Sequence, residues 1–294
     1  MAINITHNYA RAFDDTFRLL DQQLSSKLRV AAEVKPVKGE LVTFERIASG
    51  SGLTPTTNYF TEHSLTDFTH SRRVAFMQAY HKPYGLSDED LAQMVVDPTS
   101  QYMQNMVAEY NREIDSVLIT AALGAANEGA SGGTSTAFDT TNQQITAGGT
   151  GLTLAKVRQG MRILLSNSVD INRQKVYLFT NGYGIEDMLA ETGVTSIDFV
   201  DVKPNQSGSF PTPFGFEMVH VEALTNFTGA SASSSSRPAI LMVEGAVGLG
   251  TAIDLDLSVD RRPDMLNINQ MLLKTMVGAV RIHDARVVDI RFAQ

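Results

Sequence analysis

The sequence predicts a mixed α+β fold built around one unusually long helix and a closing antiparallel sheet. Asp97-Pro98 precedes twenty-five residues that contain no Gly or Pro, and Gly124 follows them. Because Asp is a favoured N-cap, Pro a favoured first helical residue and Gly a favoured stop, a helix is predicted over residues 98–123. At 1.5 Å per residue this helix is roughly 39 Å long, about twice the average.

The C-terminal segment shows the alternation expected of a strand with one buried face. Polar side chains separate the apolar residues Ile253, Leu255, Leu257 and Val259. Two more strands are expected on either side of a turn at residues 283–285. In the last strand we expect inward-facing apolar side chains at Val288, Ile290 and Phe292, and outward-facing charges at Asp289 and Arg291.

The composition excludes several classes of protein. The chain has 294 residues, a net charge of -8 and no Cys. The missing Cys excludes a disulfide scaffold, a Cys-based zinc site and an iron–sulfur cluster. The acidic charge, with no basic run longer than two residues, argues against an enzyme that binds nucleic acid through clustered Lys and Arg. We expect a soluble intracellular protein, because no segment has the apolar length of a secretion signal or a membrane span.

Residues 9–29 have the pattern of an amphipathic helix. Apolar side chains recur at steps of three and four at Phe13, Phe17, Leu20, Leu24 and Leu28. Two interpretations remain open. The helix packs on its own domain, or it is an arm that packs on a neighbouring subunit.

Residues 35–77 mix a few apolar side chains with Gly, Pro and Thr and lack helical periodicity, which favours short strands joined by turns. We predict an extended hairpin with its tip near residues 49–58. Such a segment has little core of its own. We therefore expect its apolar face to be buried on a partner, through Val42, Phe44 and Ile47.

The middle of the chain alternates between helices and strands. A flexible loop is predicted over residues 124–151, which are rich in Gly, Ala, Ser and Thr, and a helix over residues 153–167. A buried strand at residues 176–179 leads into a short helix after Asn181-Gly182. Further strands are predicted near residues 197–202 and 216–222.

No strong catalytic or metal-binding motif is present in the sequence. Residues 129–133 match the nucleophile-elbow pattern around Ser131, but no strand precedes them. The Gly-x-Gly at residues 248–250 is not followed by a helix, as a dinucleotide site requires. Asp254 and Asp256 share a strand face and could bind a cation or share a proton, although solvation or pairing with Arg is the simpler interpretation. We expect no enzyme activity, no metal site and no cofactor.

Short sequence motifs from Thr61 onward are a second indication of the protein's family, beside the order of its elements. They lie at residues 69–73 (THSRR), 97–100 (DPTS), 111–115 (NREID), 121–124 (AALG), 151–156 (GLTLAK), 214–216 (FGF), 246–250 (AVGLG), 262–264 (RPD), 278–281 (GAVR) and 287–290 (VVDI). In their order and spacing they resemble the major capsid proteins of tailed bacteriophages, which have the Hong-Kong-97-type fold.

The resemblance implies a shell subunit with four parts. These are an N-terminal arm (1–34), an extended loop (35–77), a peripheral domain (78–171 and 251–294, with a spine helix at 98–123) and an axial domain (172–250). Such a subunit assembles into pentamers and hexamers, which form an icosahedral shell around double-stranded DNA. A negatively charged chain suits a container of packed DNA.

The partners that the resemblance implies are other copies of the chain, a portal protein, a separate scaffolding protein and a cementing or decoration protein. DNA is enclosed without sequence-specific binding, and no membrane is involved. The implied location is the virion, with assembly in the host cytoplasm.

Two features bear on how such a shell matures. In the type member of the fold, subunits are covalently joined through a lysine in the extended loop. Here Lys35 and Lys38 lie at the base of the loop and the next lysine is Lys82, so we expect no such cross-link. The 34 residues before the loop are too few for a long fused scaffolding segment, which favours a separate scaffolding protein.

Subunit contacts are expected in the arm, on the extended loop and at a turn of the C-terminal sheet. Charged turn residues near a symmetry axis can pair with copies of themselves that are related by rotation. The residues expected at these contacts are Phe13, Phe17, Phe44, Arg46, Arg72, Arg73, Arg261, Arg262 and Asp264.

Other functions remain open from the sequence alone. An encapsulin-like nanocompartment shell would have the same fold but an enzyme as cargo. A filament or fibre subunit is disfavoured, because flagellin-like filaments have helical heptads at both termini and this C-terminus is predicted to be sheet. An enzyme that uses Ser131 or the Asp254/Asp256 pair is the least favoured alternative.

Overall fold

The computed structural model describes residues 22–48, 50, 52–53, 67–89, 99–171, 173–191, 215–225, 227 and 236–293. The helices that lie wholly within these residues are α1 (Thr99–Leu123), α2 (Leu154–Ser166) and α3 (Gly182–Ala190). The strands are β1 (Glu33–Pro36), β2 (Leu41–Ile47), β3 (His70–Phe76), β4 (Gln78–Leu86), β5 (Ala126–Glu128), β6 (Thr134–Thr136), β7 (Gln144–Ile145), β8 (Val176–Thr180), β9 (Glu217–His220), β10 (Ser236–Val243), β11 (Val247–Arg262), β12 (Ile268–Arg281) and β13 (Val287–Ala293).

Among the described residues the strands form three sheets. The long sheet has the order β1-β11-β12-β4, the five-stranded sheet the order β7-β13-β10-β8-β9, and the loop sheet the order β2-β3-β5-β6. In the long sheet β11 and β12, which are 16 and 14 residues long, pair as an antiparallel hairpin. The predicted α+β class is confirmed.

Helix α1 confirms the predicted long helix over its described residues. Its 25 residues span roughly 38 Å. The helix ends where the Gly124 N–H donates to the Thr120 carbonyl at 2.8 Å. The predicted N-cap, Asp97-Pro98, lies outside the described residues. One face is buried, at Met106, Ala108, Tyr110, Ile114, Asp115, Leu118, Ile119 and Ala122.

The five-stranded sheet is covered on both faces. Successive residues of a strand point to opposite faces, so each strand contributes to two cores. One core contains the buried face of α1 together with Tyr177, Phe179, Ile240 and Met242. The other lies beneath α2 and contains Leu178, Leu241, Ile290 and Phe292.

Helices α2 and α3 confirm the predictions made from their caps. The Thr153 hydroxyl accepts from the Lys156 N–H at 3.4 Å, and the Asn181 side chain accepts from the Gly184 N–H at 3.0 Å. Strands β8 and β9 confirm the strands predicted at residues 176–179 and 216–222. The strand predicted at residues 197–202 lies outside the described residues.

Strand β13 corrects two predictions. It pairs with β10 and β7, so it belongs to the five-stranded sheet and not to the sheet of β11 and β12. Asp289 and Arg291 do not face outward. They are 1% and 5% exposed and form an ion pair at 2.7 Å, because this sheet has no solvent-facing side. Within segment 251–294, β13 therefore pairs with β10, which lies in the segment predicted as the axial domain, and the domain boundaries stay a prediction.

The base of the predicted hairpin is present as the antiparallel pair β2 and β3. Most of its predicted tip, residues 49–58, lies outside the described residues. Val42 and Phe44 are only 1% and 4% exposed, because both are buried within their own chain. The expectation that a partner buries these two side chains is wrong. Ile47, the third residue expected on that face, is 64% exposed and, three positions after Phe44 in a regular strand, points to the opposite side of β2.

Glycines in the long sheet allow the hairpin base to pack so closely. A Cβ on Gly250 would lie 2.6 Å from Val42 Cγ1, and a Cβ on Gly248 would overlap the Phe44 ring. Gly278 is opposite Gly250 in the ladder, and a Cβ on Gly278 would overlap the Phe76 carbonyl oxygen. The AVGLG phrase thus has a packing role, since only Gly leaves room for the side chains of β2.

The prediction of a flexible loop over residues 124–151 is wrong. β5 pairs with β3 and with β6, which extends the loop sheet, and β7 pairs with β13. These strands are two or three residues long. β5 and β7 are stabilised by strands far away in the sequence, β3 and β13, so local composition does not indicate them.

The helix predicted over residues 9–29 is wrong for its described part. Residues 22–28 are not helical, and a single 3-10 turn follows at Arg29–Ala31. The Lys27 and Leu28 N–H groups donate to the Asp115 carboxylate at 3.0 Å instead of to helix carbonyls. Leu28 is fully buried, whereas Leu24 is 61% exposed.

Replacing Gly250 by Ala tests the close packing of the hairpin base. The added Cβ would overlap Val42, so we expect the free energy of unfolding to fall by about 1–3 kcal/mol, as in other overpacked cores. Gly133→Ala is the matched control, because nothing lies within 4 Å of a Cβ there. It is expected to change stability by less than about 0.5 kcal/mol in urea unfolding. Equal effects of the two substitutions would contradict the packing.

Candidate assembly interface

Asp115 anchors the N-terminal segment to α1. Its carboxylate is 1% exposed and accepts hydrogen bonds from the Ser26 hydroxyl at 2.6 Å, from the side chain of Gln23 and from two backbone N–H groups. One helical turn earlier, the Asn111 side chain donates to the Leu24 carbonyl at 2.8 Å. The NREID phrase therefore fixes where the N-terminal segment meets the helix.

Asp254 is bound by two groups of its own chain. Arg29 forms an ion pair with it at 2.8 Å, and the Tyr110 hydroxyl donates to its other oxygen at 2.5 Å. The hydrogen bond from Arg29 is the largest cause that lowers the pKa of Asp254. Burial and the hydrogen bond to Asp254 raise the pKa of Tyr110. Asp254 thus joins the N-terminal segment, α1 and β11, and the simpler of its two predicted roles, pairing with Arg, is confirmed.

Lys156 holds the loop that precedes α2. Its ammonium donates to the carbonyls of Ala147, Thr150 and Gly151 at 2.8, 2.7 and 2.9 Å. Burial lowers the pKa of Lys156, and the charge of Asp187 opposes the change. The GLTLAK phrase therefore has a structural role in connecting this loop to α2.

The loop-sheet residues expected at subunit contacts divide into buried and exposed ones. Arg73 is 1% exposed and, like Phe44, is packed within the chain, so neither side chain is free to contact a neighbour. Arg46 binds Glu128 at 2.9 Å and is only partly exposed. Arg72 pairs with Glu45 at 2.5 Å on an exposed surface. Phe13 and Phe17 lie outside the described residues.

The outer half of β11 does not have the single buried face that its alternation predicts. The ladder with β12 is irregular between Thr251 and Asp256, and such an irregularity shifts which side chains point to each face. Ile253 and Leu255, within the irregular part, are 44% and 39% exposed, and Val259, beyond it, is 48% exposed. Apolar side chains are therefore exposed along the part of the β11–β12 hairpin that leads to its tip.

The turn between β11 and β12 carries an exposed apolar tip. Leu266 is 91% and Met265 49% exposed. Leu266 also has a φ of 52°, a left-handed conformation that is uncommon for Leu. The turn therefore presents two neighbouring apolar side chains, Met265 and Leu266, to the solvent.

The charged residues of this turn already have partners in their own chain. Arg262 pairs with Asp264, and Arg261 with Asp88 at 2.8 Å. Both pairs are exposed, so each contributes little to stability. Their contact with neighbouring copies stays a prediction.

Leu266 and Asp115 were not predicted as functional residues, although the sequence pattern around each of them is unusual. Met265-Leu266 is an apolar pair directly after a polar turn, and Asp115 is an acid among the apolar residues of a helix face. Ser131, by contrast, is exposed between β5 and β6 and not on a strand-to-helix turn. No helix among the described residues is long and apolar enough to span a membrane.

Solved structures share this fold over their whole length. The capsid structure of the cyanophage P-SCSP1u matches with a TM-score of 0.71 at 15% identity, covering 100% of this chain and 96% of the other. The capsid of the cyanophage Pam1 matches with a TM-score of 0.73 at 12% identity, covering 99% and 98%. The acidic stable capsid of the Helicobacter pylori bacteriophage KHP30 matches with a TM-score of 0.71 at 12% identity, covering 99% and 98%. The Hong-Kong-97-type fold is confirmed.

The family follows from a sequence match. A sequence model described as phage capsid protein matches residues 5–294, so the chain belongs to that family. A search of curated proteins gives no match.

Replacing Asp115 by Asn tests the anchor of the N-terminal segment. The variant loses charge-assisted hydrogen bonds to a buried carboxylate, so we expect a loss of about 1.5–3 kcal/mol in the free energy of unfolding. Glu113→Gln, an exposed position on the same helix, is the matched control and is expected to change stability by less than about 0.5 kcal/mol. Urea unfolding gives both values, and an Asp115 variant as stable as the control would overturn the assignment.

Acid titration tests the contacts of Asp254. A carboxyl whose pKa is lowered by folding contributes stability above its unfolded pKa of about 4, and this contribution is lost as the pH falls through the folded pKa. We expect Asp254→Asn to be less stable than the parent at pH 7, by under about 1 kcal/mol because the pair is half exposed. The difference should shrink below pH 4. Urea midpoints measured at both pH values check this, and a difference independent of pH would count against it.

Proposed function

We propose that the chain is the major capsid protein of a tailed double-stranded DNA bacteriophage. Copies of it assemble into pentamers and hexamers, which form the icosahedral shell that encloses the genome. The observation that carries the proposal is the family match, which extends over residues 5–294 and therefore includes every described element of the fold.

The exposed apolar side chains support assembly with other copies. They occur at separate places. Ile47 ends β2 and Phe68 lies just before β3, both in the extended loop, and Leu266 lies at the tip of the β11–β12 hairpin. These side chains are 64%, 61% and 91% exposed. Scattered apolar residues are normal on a monomer, but nearly complete exposure of Leu at the hairpin tip favours a contact. Burial of such side chains on neighbours supplies the main driving force for association.

The proposed partners follow from the same role. They are a portal protein, a separate scaffolding protein and a cementing or decoration protein, and DNA is enclosed without sequence-specific binding. The net charge of -8 supports this, since a negative wall does not adhere to packed DNA. Assembly takes place in the host cytoplasm, and the product is located in the virion. The family match favours this function over an encapsulin-like shell.

Replacing Leu266 by Asp tests the shell function at one exposed side chain. Asp tolerates the left-handed backbone better than Leu, so the isolated subunit should lose no stability. A charge at a buried contact between copies is strongly unfavourable. We therefore expect a folded subunit that forms at least about tenfold fewer closed shells, a loss of the size that about 1.4 kcal/mol per contact would produce.

Negative-stain microscopy of shells co-expressed with the phage's scaffolding protein gives the measurement. Leu266→Met is the control, because it keeps an apolar side chain of similar volume, and it should form shells as the parent does. Normal shells from the Asp variant would remove Leu266 from the interface. Filaments, or no particles at all, from the parent chain would contradict the proposed function itself.

A further inference from the structure

The outward face of α2 is positively charged. All three charged side chains of this helix are cations, at Lys156, Arg158 and Arg162. Lys156 points into the protein, where three backbone carbonyls accept hydrogen bonds from it, but Arg158 and Arg162 are exposed. Residues four apart are neighbours on a helix surface, with about 5–6 Å between their Cβ atoms, so the two arginines share one side of α2. Leu165, three positions after Arg162, lies on the same side and is 59% exposed.

The loop that follows α2 has the same sign of charge. Arg173 and Lys175 are exposed there. In residues 154–175 as a whole, Asp170 is the single acid against five Lys and Arg. The net charge of the whole chain is nevertheless -8, so this segment reverses the sign of the chain's charge locally.

The two exposed arginines of α2 have no role within the part of the chain that the structure describes. Arg158 and Arg162 form no ion pair and no side-chain hydrogen bond with a described residue. Like charges at this spacing repel and weaken a helix slightly. The helix also lacks an acid in its first turn, where one would favour the helix dipole. Such an unfavourable local choice without compensation in the fold is typical of a functional surface.

The opposite side of α2 holds the helix firmly in place. A Cβ on Gly160 would lie 3.1 Å from the side chains of Leu241 and Ile290, so the helix backbone lies directly against the five-stranded sheet. Val157 and Leu164 are fully buried on the same side. The stability of α2 therefore comes from its buried side, and its outward side is free to bind a partner.

The charge of this surface favours an acidic partner, and its exposed Leu favours a protein. Two carboxylates one helical turn apart match the spacing of Arg158 and Arg162, and guanidinium groups bind carboxylates through pairs of N–H donors. An apolar side chain beside these carboxylates would cover Leu165. A nucleic acid would pair with the arginines but leave Leu165 uncovered, and the negative charge of the rest of the subunit would repel it.

We propose that the outward face of α2, formed by Arg158, Arg162 and Leu165, binds an acidic amphipathic helix of another protein. The partner helix presents two carboxylates four residues apart to the arginines and an apolar side chain to Leu165. Exposed ion pairs are individually weak and are screened by salt, so the contact is readily reversible.

The described helices of a second copy of this chain do not match the surface. Among them only α1 has two acids four residues apart, Glu109 and Glu113, and Glu109 already forms an ion pair with Lys82 at 2.8 Å. The acids of α3, Glu186 and Asp187, are adjacent in the sequence and so cannot face the two arginines together. The partner is therefore a different protein.

Fluorescence anisotropy with a labelled peptide tests the surface. The probe is an Ala-rich helix of about 20 residues with Glu at two positions four apart, and with Leu three residues before the first Glu and three after the second. We expect one peptide to bind per full-length unassembled chain. Raising the salt from about 50 mM to about 300 mM should weaken binding at least about threefold. The same peptide with Gln in place of Glu is the control, and equal binding of the two peptides would overturn the proposal.

Two double variants assign the binding to α2. Arg158→Gln with Arg162→Gln removes both charges and keeps good helix formers, so we expect a folded chain that binds the Glu peptide at least about fivefold more weakly. Lys27→Gln with Lys38→Gln removes the same charge from exposed positions elsewhere and should bind as the parent does. Equal weakening in both, or none in either, would refute the surface. Tighter binding of a DNA duplex of about 20 base pairs than of the Glu peptide would overturn the choice of partner.

Discussion

The packing of the β2–β3 base on the β11–β12 ladder determines how the rest of the subunit is arranged. Gly248 and Gly250 leave room on β11 for the Phe44 ring and the Val42 side chain, so the two sheets approach more closely than side chains would otherwise permit. Arg281 then connects this contact to the C-terminal end of α1. The base of the extended loop is therefore fixed on the long sheet.

The subunit has two kinds of surface that follow from this arrangement. Its buried polar groups are largely satisfied within the chain, as Asp115 and Lys156 show with hydrogen bonds to backbone groups. Its projecting parts instead expose apolar side chains, of which Leu266 is the clearest. A rigid body with apolar ends is suited to repeated contacts with identical copies, because burial at each contact adds to stability while little order has to be created.

Helices were predictable from the sequence because their signals are local. α1 ends at Gly124, and α2 begins at Thr153, as their caps indicate. Errors arose wherever a distant partner decides the structure. Residues 22–28 are not helical, because Asp115, far along the chain, accepts hydrogen bonds from the Lys27 and Leu28 N–H groups. In the same way, apolar and charged residues alternate in β13 as in a strand with one solvent-exposed face, yet β13 lies in a sheet that is covered on both faces.

The assembly surface was only partly predictable for the same reason. Arg72 and Arg261 are exposed, but Phe44 and Arg73 are internal. The apolar residues of β2 indicate a buried face, but not whether the same chain or a neighbouring copy buries it. The Met265-Leu266 pair is visible in the sequence, but its exposure at the turn is known only from the structure. Within the family, the capsid role rests on the whole chain and not on any single motif.

An icosahedral cryo-electron microscopy reconstruction of particles made from this chain tests how the subunits pack. We predict closed shells of pentamers and hexamers, in which the tip at Leu266 is buried against a neighbouring copy while Val42 and Phe44 stay packed on β11 of their own chain. A shell in which the tip remains in solvent, or in which the hairpin base leaves the glycines to pack on a neighbour, would contradict it.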